Sequence, residues 1–301
     1  MDQKKYIQTT TKTMKNNIYL FILCFILMTN NNCNKKENNK MSTDNQPIYE
    51  LYIDARGCYF EILINDVPVY FHYNIGATAF RLPINNYISK SGEQSISLKM
   101  LSVVDGKPFP NGTELSLVID EYPKGLPRGR RNIFTYKTPV FEEKNKGLFA
   151  DAKIFQTNVP YSLTDWRLGI DLTKENKDSL RKELEKIYQE YTFSFKNRDL
   201  SKYKQLTKLR QENTFASLYY TDEQIKQAEN SYVDGIQNEK IKLFPLENYQ
   251  LAFYGNGKLV GLQKLKDAPG VFIDNEDEKD AFMEYILFYK KDKNSPLEII
   301  F

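Results

Sequence analysis

Residues 180–195 read LRKELEKIYQEYTFSF. Leu180, Leu184, Ile187, Tyr188, Tyr191 and Phe195 recur at helical spacing, which lays one apolar stripe along one face of an α-helix. Asp171 or Thr173, just upstream, can cap that helix. Before this stretch the period is different. CYFEILI (58–64) and TELSLVID (113–120) alternate apolar and polar residues, as strands with one buried face do. The change of period divides the chain.

Upstream of the change, strands are expected at Ile48–Asp54, Cys58–Ile64, Val67–Tyr73, Ala79–Ile84, Ile96–Val104, Thr113–Asp120, Asn132–Thr138 and Ala152–Asn158. Gly, Pro, Asn and Asp punctuate them. Asn65-Asp66 is a tight-hairpin signal, and Pro68 means that the following strand either begins there or lies at a sheet edge. Short strands at this spacing predict an antiparallel β-sandwich over residues 47–159, with 160–173 as a linker.

Downstream, a break at Asn197 to Asp199 precedes a second helix with Leu200, Tyr203, Leu206 and Leu209 as its stripe. Thr221 and Gln224 form a capping box for a third. Strands return near Ile241, at Asn248–Tyr254 and Lys258–Leu265 around Gly255-Asn256-Gly257, and at Ala281–Lys290 and Pro296–Phe301. Helices followed by antiparallel strands predict an α+β domain over 174–301, so the whole chain reads as mainly β plus α+β. LEKIYQEYTFSFKNRDLSKYKQL (184–206), with the strands behind it, resembles the nuclear-transport-factor-like cone fold in layout. That resemblance implies helices on a curved sheet and carries no function, because the fold hosts both enzymes and scaffolds. Leu184, Ile187, Tyr191 and Phe195 are expected to pack on strands bearing Leu251, Phe253, Phe282, Tyr285 and Leu287, and so to fill the space beneath the helices.

The N-terminus has its own character. IYLFILCFILM (18–28) is an apolar run of 11 residues behind Lys4, Lys5, Lys12 and Lys15. A membrane-spanning helix needs about 20 such residues, whereas a secretory leader needs roughly 7–15. Cys33 follows after a short polar stretch. The layout of residues 1–33 resembles the signal peptide of bacterial lipoproteins, with Asn30 and Asn32 standing at the motif's −3 and −1 positions. The resemblance implies lipidation at Cys33, a polar tether over 34–46, and attachment to a membrane in the cell envelope.

Lys and Arg number 42 against 39 Asp and Glu. The first 32 residues hold four Lys and one Asp, so the chain from Cys33 onward is balanced in charge. A neutral exported domain has no field to gather nucleic acid. With Cys24 in the leader and Cys33 lipidated, Cys58 is left alone in a strand and reads as a small buried hydrophobe.

Chemistry-bearing motifs are scarce. The single histidine, His72 in VYFHY (69–73), excludes multi-histidine zinc sites and reads as a sheet residue. There is no G-x-S-x-G and no P-loop. The acidic run Asp274, Glu276, Asp277, Glu278 and Asp280 lacks the Gly and terminal Glu of a calcium loop. PKGLPRGRR (123–131) has no aromatics among its charges and reads as a solvated loop. Trp166, the only tryptophan, falls at the junction, where it would pack the two halves together. No cofactor, metal or catalytic set is expected. The expectation is a lipid-anchored, non-catalytic binding or scaffold module with a protein or glycan partner. Two other readings stay open: a hydrolase or isomerase with its site in the mouth of the cone, and an immunity-type lipoprotein that blocks a toxin.

Overall fold

The computed structural model describes residues 46–142, 147–237, 241–243, 245–267, 269–275 and 280–301. The leader, Cys33, the tether and residues 276–279 of the acidic run lie outside them. Among the described residues no helix is long and apolar enough to cross a membrane.

The first half is an antiparallel sandwich. Its strands are β1 (Pro47–Arg56), β2 (Cys58–Ile64), β3 (Val67–His72), β4 (Thr78–Pro83), β5 (Gly92–Ser102), β6 (Glu114–Pro123), β7 (Arg131–Lys137) and β8 (Leu148–Thr157). One sheet runs β4-β1-β6-β7 and the other β3-β2-β5-β8. Alternation does the sorting. Leu51, Ile53, Phe60, Ile62, Leu98, Met100, Leu117 and Ile119 point inward and share one core. Asn65 and Asp66 both have positive φ (53° and 62°), the conformation of a type I′ hairpin turn. Pro68 lies on β3, an edge strand, as its missing N–H requires.

The second half begins with α1 (Lys177–Lys196), α2 (Leu200–Ser217) and α3 (Asp222–Gln237). Asn176 caps α1 by accepting from the Ser179 N–H. Asp171 instead caps the single turn Leu172–Lys174, so the helix starts later than the expected cap. The capping box is as expected: Thr221 N–H donates to Gln224 Oε1 at 3.1 Å and Gln224 N–H to Thr221 Oγ1 at 3.3 Å. Then come β9 (Ile241–Leu243), β10 (Gln250–Tyr254), β11 (Leu259–Gln263), β12 (Gly270–Asn275), β13 (Asp280–Tyr285), β14 (Phe288–Lys290) and β15 (Leu297–Ile299).

These strands form two sheets, β10-β11-β14-β15 and β13-β12-β9. The continuous strand expected over Ala281–Lys290 is therefore broken at Ile286-Leu287, where the chain passes from one sheet to the other. The break redirects side chains. Leu184, Tyr191 and Phe195 pack in the second core with Leu251 and Phe253 beside them, whereas Tyr285 and Leu287 turn to the seam between the two halves. Phe282 lies among side chains outside the described set. Phe195 is buried, with the rings of Tyr191 and Tyr203 at 5.3 and 5.7 Å.

That seam is built from both halves. Val67 of β3 meets Trp166, Leu259, Leu287, Tyr289, Ile300 and Phe301. Trp166 is only 4% exposed. Gly255 lies under its ring, where a Cβ would come within 2.5 Å of the indole. The two tight turns face each other, and Asp66 accepts from both Gly255 N–H (3.0 Å, carbonyl) and Asn256 N–H (2.7 Å, carboxylate). The expected linker is thus fastened along its length: Leu163 N–H donates to Ser89 O, Ile170 N–H to Lys290 O and Leu172 N–H to Gly257 O.

Asn85 concentrates these constraints. Its side chain accepts from Tyr49 N–H at 2.8 Å and donates to the carbonyls of Pro47 at 3.0 Å and Ser217 at 3.1 Å. The residue is fully buried. Asn85→Leu strands the Tyr49 N–H and the Ser217 carbonyl, while the Pro47 carbonyl keeps the Tyr219 hydroxyl at 3.2 Å, and each stranded group costs about 1–3 kcal/mol. A loss of roughly 2–6 kcal/mol is expected in urea unfolding on that accounting. A loss below about 1 kcal/mol would mean that other groups take over the amide's role.

Candidate functional site

The most deeply buried ion pair among the described residues lies beneath α1 and α2, within a cluster of phenols. Tyr191 comes from α1, Tyr203 and Arg210 from α2, and Glu284 from the end of β13. Tyr203 and Arg210 are two helical turns apart and so share a face. Arg210 Nη1 donates to Glu284 Oε1 at 2.7 Å and to Tyr285 O at 3.3 Å, while its Nη2 donates to the Tyr203 hydroxyl at 3.3 Å. The Tyr191 hydroxyl donates to the same Glu284 oxygen at 3.0 Å. The Glu284 side chain is 5% exposed and that of Arg210 17%.

The electrostatics follow from that burial. Desolvation pushes the Tyr191 and Tyr203 hydroxyls far above the usual phenol range, so both stay protonated donors. Burial pulls the Arg210 guanidinium down, but the charge of Glu284, with the surrounding phenols, more than offsets it and holds Arg210 charged. Rings pack the remainder: Tyr203 lies 5.8 Å from both Tyr191 and Tyr232. Two donors are therefore already spent on one carboxylate oxygen inside a packed interior. A group held in this way orients a helix well and reaches a substrate poorly.

Arg210 and Glu284 were not singled out by sequence. The missed signal is in α2. Its expected stripe was Leu200, Tyr203, Leu206 and Leu209, yet the buried residues are Tyr203, Thr207, Gln211 and Ser217. Of that stripe only Tyr203 is buried; the leucines are half-buried beside it. The helix can bury a polar face because its buried polar side chains find acceptors within the helix itself. Thr207 Oγ1 donates to Tyr203 O at 2.8 Å, and Gln211 Nε2 to Thr207 Oγ1 at 2.7 Å. On its other flank, α2 and α3 line a shallow surface depression of about 410 Å³ bearing Lys204, Lys208, Phe215 and Glu229, with Lys204 paired to Glu229 at 3.0 Å.

His72 ends β3 directly across from Phe60 and stacks on it, with centroids 5.1 Å apart. It is buried, and its Nε2 has no hydrogen-bond partner among the described residues. Desolvation lowers its pKa, offset in part by a backbone hydrogen bond at Asn74. Cys58 is buried as expected, and desolvation raises its thiol to about 12, which keeps it from ionising at neutral pH.

The basic loop is more occupied than its sequence suggested. Arg130 lies over the Tyr122 ring at 4.6 Å and pairs with Glu50. Arg131 pairs with Glu121 at 2.7 Å, and Lys124 reaches Tyr219 O and Gln224 Oε1 across the seam. The aromatics absent from the run itself are supplied by neighbouring strands. Among the described residues no group of three or more potential metal ligands converges. No family model, curated protein or solved structure matches this chain.

Two outcomes follow from this geometry. Arg210→Met strands a buried carboxylate and should cost about 3–5 kcal/mol, while Arg210→Met with Glu284→Leu should recover most of that loss in the same unfolding assay. A double variant no more stable than the single would mean that the ion pair is not the source of the cost. For His72, the folded-state pKa lies below the unfolded one. Its contribution is fully present above about pH 6.5 and is lost as pH falls from there toward the folded value. The melting temperature should decline as pH drops from about 6.5 to 5 in the parent and hold flatter in His72→Phe; equal slopes would exclude the imidazole as the cause.

Proposed function

We propose that this chain is an exported binding module, held at a membrane of the cell envelope by lipid on Cys33, and that it acts without catalysing a reaction. The anchor reading rests on IYLFILCFILM followed by Cys33 within a polar stretch. One observation carries the non-catalytic part: the converging charged groups of the second half are closed on each other, with Arg210 and Tyr191 both bound to Glu284 Oε1. The partner is a protein or a glycan. The even balance of charge beyond the leader speaks against nucleic acid.

The anchor has a direct test. Produced with its leader in a bacterial host, the protein should partition into the detergent phase and incorporate a labelled fatty acid. Cys33→Ser should lose the label and move to the aqueous phase. Equal labelling and equal partitioning of the two would overturn the anchor.

A further inference from the structure

We propose that β8 is the seam of a two-fold dimer, in which two copies of the chain pair their β8 strands antiparallel about Ala152. β8 is an edge strand, bound to β5 on one side and, among the described residues, to no other strand of its sheet. Edge strands present unpaired backbone groups that invite pairing. The Ser102 N–H to Gly147 O bond fixes which ones are free. In an antiparallel ladder both backbone groups of a residue point the same way, and alternate residues point oppositely. The unbroken register from Leu101–Leu148 to Gly92–Thr157 therefore turns Phe149, Asp151, Lys153 and Phe155 toward β5. Leu148, Ala150, Ala152, Ile154 and Gln156 turn their N–H and C=O groups to the open edge. In a single copy the Ala152 N–H turns back on the Asp151 carboxylate at 2.8 Å, and that carboxylate also accepts from Lys153 Nζ at 2.9 Å and from the Tyr136 hydroxyl of β7 at 2.7 Å; pairing exchanges the first two bonds for bonds to the second copy.

The side chains of this edge are self-complementary. In FADAKIF (149–155), pairing about Ala152 sets Asp151 opposite Lys153 of the second copy, and Lys153 opposite its Asp151. Ala150 meets Ile154 in the same way, while Phe155 stays in the core of its own sandwich. The charged pairs fall at non-hydrogen-bonded positions, where side chains approach most closely. Moving the axis by one residue sets Asp151 against Asp151 or Lys153 against Lys153, which like-charge repulsion disfavours. Only the Ala152 axis makes the opposite-charge pair twice. The outward stripe agrees: Leu148 and Ile154 are 57% and 58% exposed, and Ala150 and Ala152 are exposed between them. Pairing would make the two stripes continuous, as an isologous contact does. The charges that guard this edge against a foreign strand become the contacts that admit its own copy.

Sedimentation of the full chain over a concentration series, in detergent if it is lipidated, tests the seam. The parent should sediment as a dimer. Lys153→Asp and Asp151→Lys should each weaken the dimer by about tenfold or more, because symmetry makes each change twice. The double exchange Asp151→Lys with Lys153→Asp should restore it. Ala152→Pro should abolish it with the far-ultraviolet dichroism unchanged, since proline is tolerated where an edge N–H faces solvent. A parent that is monomeric throughout, or a dimer that survives both single charge changes, would overturn the proposal. A chain that is lipidated yet monomeric would retire this seam and leave the anchor standing.

Discussion

The buried amide of Asn85 is the narrowest constraint in the molecule. Apolar burial along the seam is non-directional and would accept several rotations of one half against the other. Asn85 does not. It ties the start of β1, through Tyr49 and Pro47, to the C-terminal carbonyl of α2 at Ser217. A helix end buried without partners is costly, so Asn85 seats α2 against the sandwich, with Asn86 accepting from the Ser217 hydroxyl and Lys124 donating to the Tyr219 carbonyl beside it. Trp166 and Phe301 then fill the space this geometry leaves, Phe301 stacking on Tyr87 at 5.6 Å.

The same logic explains why α2 buries polar groups. It touches α1, α3, β15 and the Asn85 turn, so it has little free surface on which to hide them. Its Thr207 and Gln211 are satisfied within the helix, and Arg210 finds its partners at the end of β13. A buried ion pair is seldom the most stabilising filling of such a space. What it supplies is direction: the Arg210–Glu284 bond fixes how α2 is turned over β13. A leucine pair would fill the volume with less angular preference.

Where a signal is local, the residues carry it openly. The sandwich strands are legible because each has one buried face, as in the alternation of CYFEILI. The hairpin at Asn65-Asp66 and the capping box at Thr221 each need only residues close in sequence. The seat of α2 needs Asn85, more than a hundred residues upstream, so its buried face looked like solvent-facing helix. β12 and the break at Ile286-Leu287 went unread for the same reason: both are defined by their partners, and β12 runs from apolar Val271-Phe272-Ile273 straight into the acidic run at Asp274. Arg210 and Glu284 are ordinary charges in sequence and become a unit only when α2 crosses the end of β13.

The place of Trp166 has an optical consequence. It is the sole tryptophan of a chain with 21 tyrosines, most of which lie in the two halves. The indole is sealed between Gly255 and the apolar seam, so its emission is sensitive to the separation of the halves before either core loosens. Tyr188, Tyr191 and Tyr203 lie in the second core and report on that core itself. The indole belongs to the joint alone. Excitation at the red edge, where only indole absorbs, isolates the joint.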